Sequence, residues 1–168
     1  MQDVSSGGGG ALPVASSLGR AGMRPAVATR WLSAAALVTI VVGLVAAAAS
    51  SASGDGPWLA LFDVLDWPVD GEPGRFSAQT RAVNAVLGGV MVGWGTLMYL
   101  VVRGPFRRGD TTLAGPMLAA VLAWFSVDST GSFLAQLPGN VVLNLGFLVL
   151  FVPPLTSLRR QHPERAAP

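Results

Sequence analysis

The stretch AWFSVDSTGSFLA, residues 123 to 135, sets a single carboxylate, Asp128, among apolar and small side chains. A lipid-facing charge at the bilayer centre costs about 2.5 to 3.5 kcal/mol, so an acid in such a run is expected to face protein or a wet cavity. There it either accepts the hydrogen bonds and ion pair that pin helices in register, or it holds a cation, a proton or a polar headgroup in an outward-open pocket. Spacing names its companions. Arg81 and Asn84 stand three residues apart on one helix face, Asn140 and Asn144 share a face at i, i+4, and Ser132 lies one turn beyond Asp128. Arg81, Asn84, Asp128, Ser132 and Asn144 are thus expected to gather in one intramembrane polar cluster.

Other chemistry is scarce. The chain has 0 cysteines, which rules out a disulfide, a thiolate nucleophile, an iron–sulfur cluster and cysteine-ligated zinc. His162 is the single histidine, so one chain supplies neither bis-histidine haem ligation nor a histidine-based zinc site. No Ser–His–Asp constellation and no phosphate-cradling glycine loop is present, and no cofactor or catalytic residue is expected. Asp63, Asp66, Asp70 and Glu72 lack the D-x-[DN]-x-[DN]-G spacing of a calcium loop and read as a solvated face. The isoelectric point is near 10.4, but the formal net charge is only +2 and no basic run interleaves with aromatics, which argues against nucleic acid.

The elements that would carry these residues follow from composition. Hydrophobic residues make up 51% of the chain and charged residues 12%, about half the charge of an ordinary soluble domain. Four apolar stretches, 31–49, 82–102, 113–134 and 141–158, approach or reach the roughly 20 residues that cross about 30 Å of hydrocarbon. The expected fold is an all-α, polytopic four-helix transmembrane bundle over residues 30–158, with a flexible cytoplasmic tail at 1–29 and an arginine-rich cytoplasmic tail at 159–168. Between the first two spans, Trp58, Leu59, Phe62 and Leu65 recur at helical spacing opposite Asp63, Asp66 and Asp70. They predict a short extracytoplasmic amphipathic helix, ended by Pro68, with Trp58 and Trp67 at the headgroup layer.

Arginine sets the direction. Arg20, Arg24, Arg30, Arg103, Arg107, Arg108, Arg159, Arg160 and Arg165 fall on one side of the spans, while the other side has Arg75 and Arg81 among five acids. Cytoplasmic loops keep the excess of basic residues, so both termini are expected in the cytoplasm. Asp128, 15 residues beyond Leu113 and roughly 22 Å along the axis, then lies in the outer half of the bilayer. A competing reading takes Arg24, Arg30 and the segment ending VAAAASSAS as a signal peptide. An apolar run of roughly 19 residues, beyond the usual ~7 to 15 of a signal core, favours a span. All 11 basic residues are arginine, which with abundant Ala, Gly, Val and Pro points to a GC-rich bacterial genome and the plasma membrane.

Gly88, Gly89, Gly93 and Gly95 make the second span a helix-packing element, and Gly89 and Gly93 spell G-x-x-x-G. Such small residues serve either a dimer seam or packing inside one bundle. Pro153 and Pro154 are expected to bend and end the last span early, and Tyr99 to anchor at the interface. In LGGVMVGWGTLMYLVVR, WFSVDSTGS and NVVLNLGFL the chain resembles small four-helix bacterial membrane proteins of the DoxX-like kind, over about residues 31–158. The resemblance rests on helix-packing residues and transfers no catalytic motif. It implies a setting beside quinone or thiol oxidation complexes, though this chain brings no cysteine to the latter. The functional expectation is an accessory or scaffold protein that works by association with lipid and with itself or a membrane-complex partner. The alternative is a transporter or ligand-binding protein built around Asp128.

Overall fold

The computed structural model describes residues 23–66, 69–72 and 74–161. Their regular structure is all helical: α1 (Pro25–Ala48), α2 (Gly56–Leu65), α3 (Ala78–Arg103), a short 3-10 turn (Phe106–Arg108), α4 (Ala114–Leu134) and α5 (Pro138–Arg160). Four of these helices, α1, α3, α4 and α5, are long and apolar enough to cross a membrane, and α2 is a shorter apolar helix. They alternate in direction, so Arg24, Arg30, Arg103, Arg107, Arg108, Arg159 and Arg160 collect at one end. Arg75, Arg81 and the acids of the 55–72 segment collect at the opposite end.

α1 packs along α3, α4 along α5, and α1 also along α5. The α1–α3 seam is closed by absent side chains. A Cβ at Gly88 would meet the backbone N of Ala47 and the carbonyl O of Gly43, and a Cβ at Gly95 would stand 2.8 Å from Ile40 Cγ1 and 3.0 Å from Ala36 O. With no hydrophobic drive between helices in lipid, backbone-to-backbone approach of this kind supplies the van der Waals attraction that holds them. α3 meets the α4–α5 pair by the opposite means, through large rings. Trp94 lies 5.7 Å from Trp124 of α4 and 6.2 Å from Phe151 of α5, centroid to centroid. The main core, with Leu32, Val102, Val121, Phe151, Leu155 and Leu158 fully buried, fills the half of the bundle nearer the arginine-rich end. Outside it runs a girdle of exposed apolar side chains such as Val41, Val86, Leu97, Val127 and Val149. A surface of that kind needs lipid or protein against it.

The helices outrun the apolar spans. α1 begins at Pro25, inside the expected tail, because proline suits the first helical turn and the Thr29 hydroxyl returns a hydrogen bond to Pro25 O (3.0 Å). Ser157 of α5 then ties down Met23 O at 2.9 Å. The expected early end of the last span is also corrected: α5 continues through Pro153 and Pro154 to Arg160. Leu155 and Leu158 are fully buried on either side of the next turn, so packing holds the helix past the missing N–H donors. Trp67, Pro68, His162 and Arg165, and the tail before Met23, lie outside the described residues.

Candidate functional site

The polar residues at the acidic end form two clusters, each built by a pair of elements. On the α4–α5 hairpin, Asp128 Oδ1 accepts hydrogen bonds from Ser132 Oγ (3.1 Å), Asn140 Nδ2 (2.9 Å) and Asn144 Nδ2 (2.8 Å). Each asparagine spends its second N–H on a serine, Asn140 on Ser132 (2.7 Å) and Asn144 on Ser129 (3.2 Å). The register comes from a tight turn in which Gln136 takes the left-handed conformation (φ 61°) and Leu137 N bonds Ser132 O at 2.9 Å. That turn sets the first two turns of α5 beside the last two of α4. Asn144 is buried at 3% exposure, Asp128 is half-buried, and among the described residues no donor reaches Asp128 Oδ2.

Arg81 and Asn84 belong to the other cluster, which corrects the expectation of a single one. Arg81 Nη2 pairs with Asp55 Oδ2 at 2.7 Å, and Trp58 Nε1 donates to Asn84 Oδ1 at 3.3 Å. The cause is a matched spacing. Asp55 and Trp58 stand three residues apart at the start of α2, as Arg81 and Asn84 do at the start of α3, so the two helices meet rung against rung. Asp55 neutralises the guanidinium that was expected to neutralise Asp128. Among the described residues Arg81 Nη1 and Asn84 Nδ2 are buried without a hydrogen-bond partner.

α2 is therefore docked on the bundle. Trp58, 6% exposed, packs with Ala46 of α1 and with Ala49 just past its end, and its ring continues through Phe62 to Phe76 at centroid spacings of 5.9 and 5.5 Å. At its other end Leu65 lies on Gly139 of α5, where a Cβ would run into the Leu65 carbonyl and stand 2.8 Å from Leu65 Cα. Trp58→Phe removes the indole donor while keeping an aromatic ring. It should destabilise the docked helix by about 1 kcal/mol. Faster protease cleavage of the 50–77 segment, with the bundle's helical signal unchanged, is the check.

The acidic segment also organises itself. Asp63 accepts from Gly71 N through both oxygens, at 3.3 and 3.2 Å, and Asp70 Oδ1 accepts from Glu72 N at 2.9 Å. Among the described residues no group of three or more His, Cys, Asp or Glu is placed to hold a metal ion. Tyr99, expected as an interfacial anchor, lies under Arg103, whose Cζ is 5.7 Å from the ring centroid.

The four glycines of α3 divide by face. Gly88 and Gly95 are buried against α1, whereas Gly89 and Gly93 are exposed and a Cβ at either would meet nothing within 4 Å. Among the described residues the G-x-x-x-G pair thus takes no part in packing, unlike Gly88 and Gly95. Val86, Val90, Leu97 and Leu100 surround it on the same open side of the helix. No family model, no curated protein and no solved structure matches this chain.

Proposed function

We propose that this protein is a small accessory or scaffold subunit of the bacterial plasma membrane, with both termini in the cytoplasm, acting by helix–helix association rather than by a catalytic site. The outward Gly89–Gly93 face of α3 carries the reading: the helix has already used a first glycine pair to close on α1, and this second pair has no neighbour among the described residues. Such a face lets a further membrane helix approach at backbone distance. The arginine-rich end supports the orientation, since basic residues are retained on the cytoplasmic side.

Native mass spectrometry of protein extracted in mild detergent tests this. The wild-type chain should carry a second copy or a membrane partner, and the Gly89→Leu/Gly93→Leu variant should run as a folded monomer. A wild-type chain that is itself a bare monomer, or an assembly that the double substitution leaves intact, would refute it. One observation favours a second reading. Among the described residues no donor reaches Asp128 Oδ2, which lies beside the buried amide of Asn144, the chemistry of a site for a cation, a proton or a polar headgroup in a transporter or ligand-binding protein.

A further inference from the structure

At the arginine-rich end, a cavity of ≈ 500 Å³ opens between the start of α1, the end of α3 and the 3-10 turn. Arg30, Arg103 and Arg107 line it, together with Thr29 and Ser33. None of the three guanidinium groups has an ion-pair partner among the described residues. A second feature adds to the same field. The 24-residue helix α1 begins here with no acid in its first turn and no side-chain cap, so its positive end faces the mouth of the cavity through Pro25 and Ala26. Guanidinium forks and an uncapped helix start are the groups that recognise a phosphate.

The walls beside the cavity say how that phosphate is presented. Val27 and Trp31 on α1 and Leu100 on α3 are exposed within a turn of Arg30 and Arg103. A ligand with a charged head and an apolar tail would cover both surfaces, whereas a free anion would leave the apolar one bare. We infer that this cavity binds the phosphate of an acidic phospholipid headgroup, gripped by Arg30, Arg103 and Arg107, with the acyl chains lying along α1 and α3. This goes beyond the association reading, because it places a defined lipid at a defined site and needs no protein partner. The glycine seam explains why the room exists: it has no glycine beyond Gly95, and toward this end α3 presents Met98, Tyr99 and Val102 instead.

The test uses the full chain in mild detergent, with phosphatidylglycerol, phosphatidylcholine or inorganic phosphate added at matched concentrations. Retained lipid is counted by native mass spectrometry. Wild type should hold phosphatidylglycerol in preference to phosphatidylcholine. Each single Arg→Gln change at 30, 103 or 107 should weaken that retention about fivefold, and the triple change roughly a hundredfold. Arg159→Gln/Arg160→Gln, at the same end but outside the cavity, should leave it unchanged. If the triple variant does not fold, the three singles decide, each checked for helical content. Equal loss from the Arg159/Arg160 variant would mean a diffuse basic surface and would overturn the site. Inorganic phosphate that displaces the lipid at matched concentration would assign the cavity to a free anion and overturn the lipid.

Discussion

Gly88→Ala should destabilise the protein by about 2 kcal/mol, while Gly89→Ala, one residue along the same helix, should be neutral or stabilising by up to about 1 kcal/mol. At 88 the new methyl meets the Ala47 amide nitrogen and the Gly43 carbonyl, main-chain atoms that cannot rotate aside, so α1 and α3 must separate along their seam. At 89 the methyl meets nothing, and alanine's better helix propensity is the only term left. Gly88→Leu extends the first effect to failure of the bundle. Detergent-driven unfolding followed by tryptophan fluorescence reads the difference, because Trp94 stands about 1.7 helical turns from Gly88, stacks on Phe151 and packs at a tilt against Trp124. Equal behaviour of the two alanine variants would show that α1 does not lie where Gly43 and Ala47 place it.

Asp128→Leu should cost about 3 kcal/mol, and Asp128→Asn less than about 1 kcal/mol. The leucine removes the acceptor of three donors at once, Ser132, Asn140 and Asn144; orphaning the buried Asn144 amide costs about 1 to 3 kcal/mol, and the half-buried Ser132 and Asn140 add less. Asparagine keeps an oxygen at the Oδ1 position and loses only the charge. The pair of variants also separates the two functional readings. If Asp128 serves to align α4 with α5, the asparagine variant keeps both its fold and its membrane partners. A folded Asp128→Asn protein that has lost an ion-coupled flux would instead give the transport reading its first direct support.

The four long helices are legible in the sequence because hydropathy and length suffice to find them. Their terminal turns are not: Pro25 to Arg30 opens α1 without a side-chain cap, and Ala78 to Arg81, written in Gln, Thr and Arg, is held by Ser77 Oγ accepting from Thr80 N at 3.1 Å. The α4–α5 cluster follows from local spacing: Asp128 with Ser132 and Asn140 with Asn144 are each one turn apart, and a short connection forces the two turns to face one another. Ser129 enters only through Asn144, by tertiary contact. Arg81 and Asn84 went elsewhere because a docked α2 is a matter of packing, which Gly139 and Ala49 decide at positions far away in the chain. The signal that anticipates it is the equal three-residue spacing of Asp55 with Trp58 and of Arg81 with Asn84. The glycines show the same limit. G-x-x-x-G marks a close-approach surface, but which of two adjacent glycine pairs faces inward depends on the azimuth at which α1 lies.

Association through α3 is most directly tested by cross-linking in native membranes, which the cysteine-free chain allows without background. Single substitutions Gly89→Cys and Gly93→Cys, labelled with a short thiol-reactive photo-cross-linker and irradiated, should give a higher-mass adduct, while Val142→Cys, also exposed but on α5, should not. Absence of any adduct from positions 89 and 93, or the same adduct from position 142, would contradict a partner seated on that face.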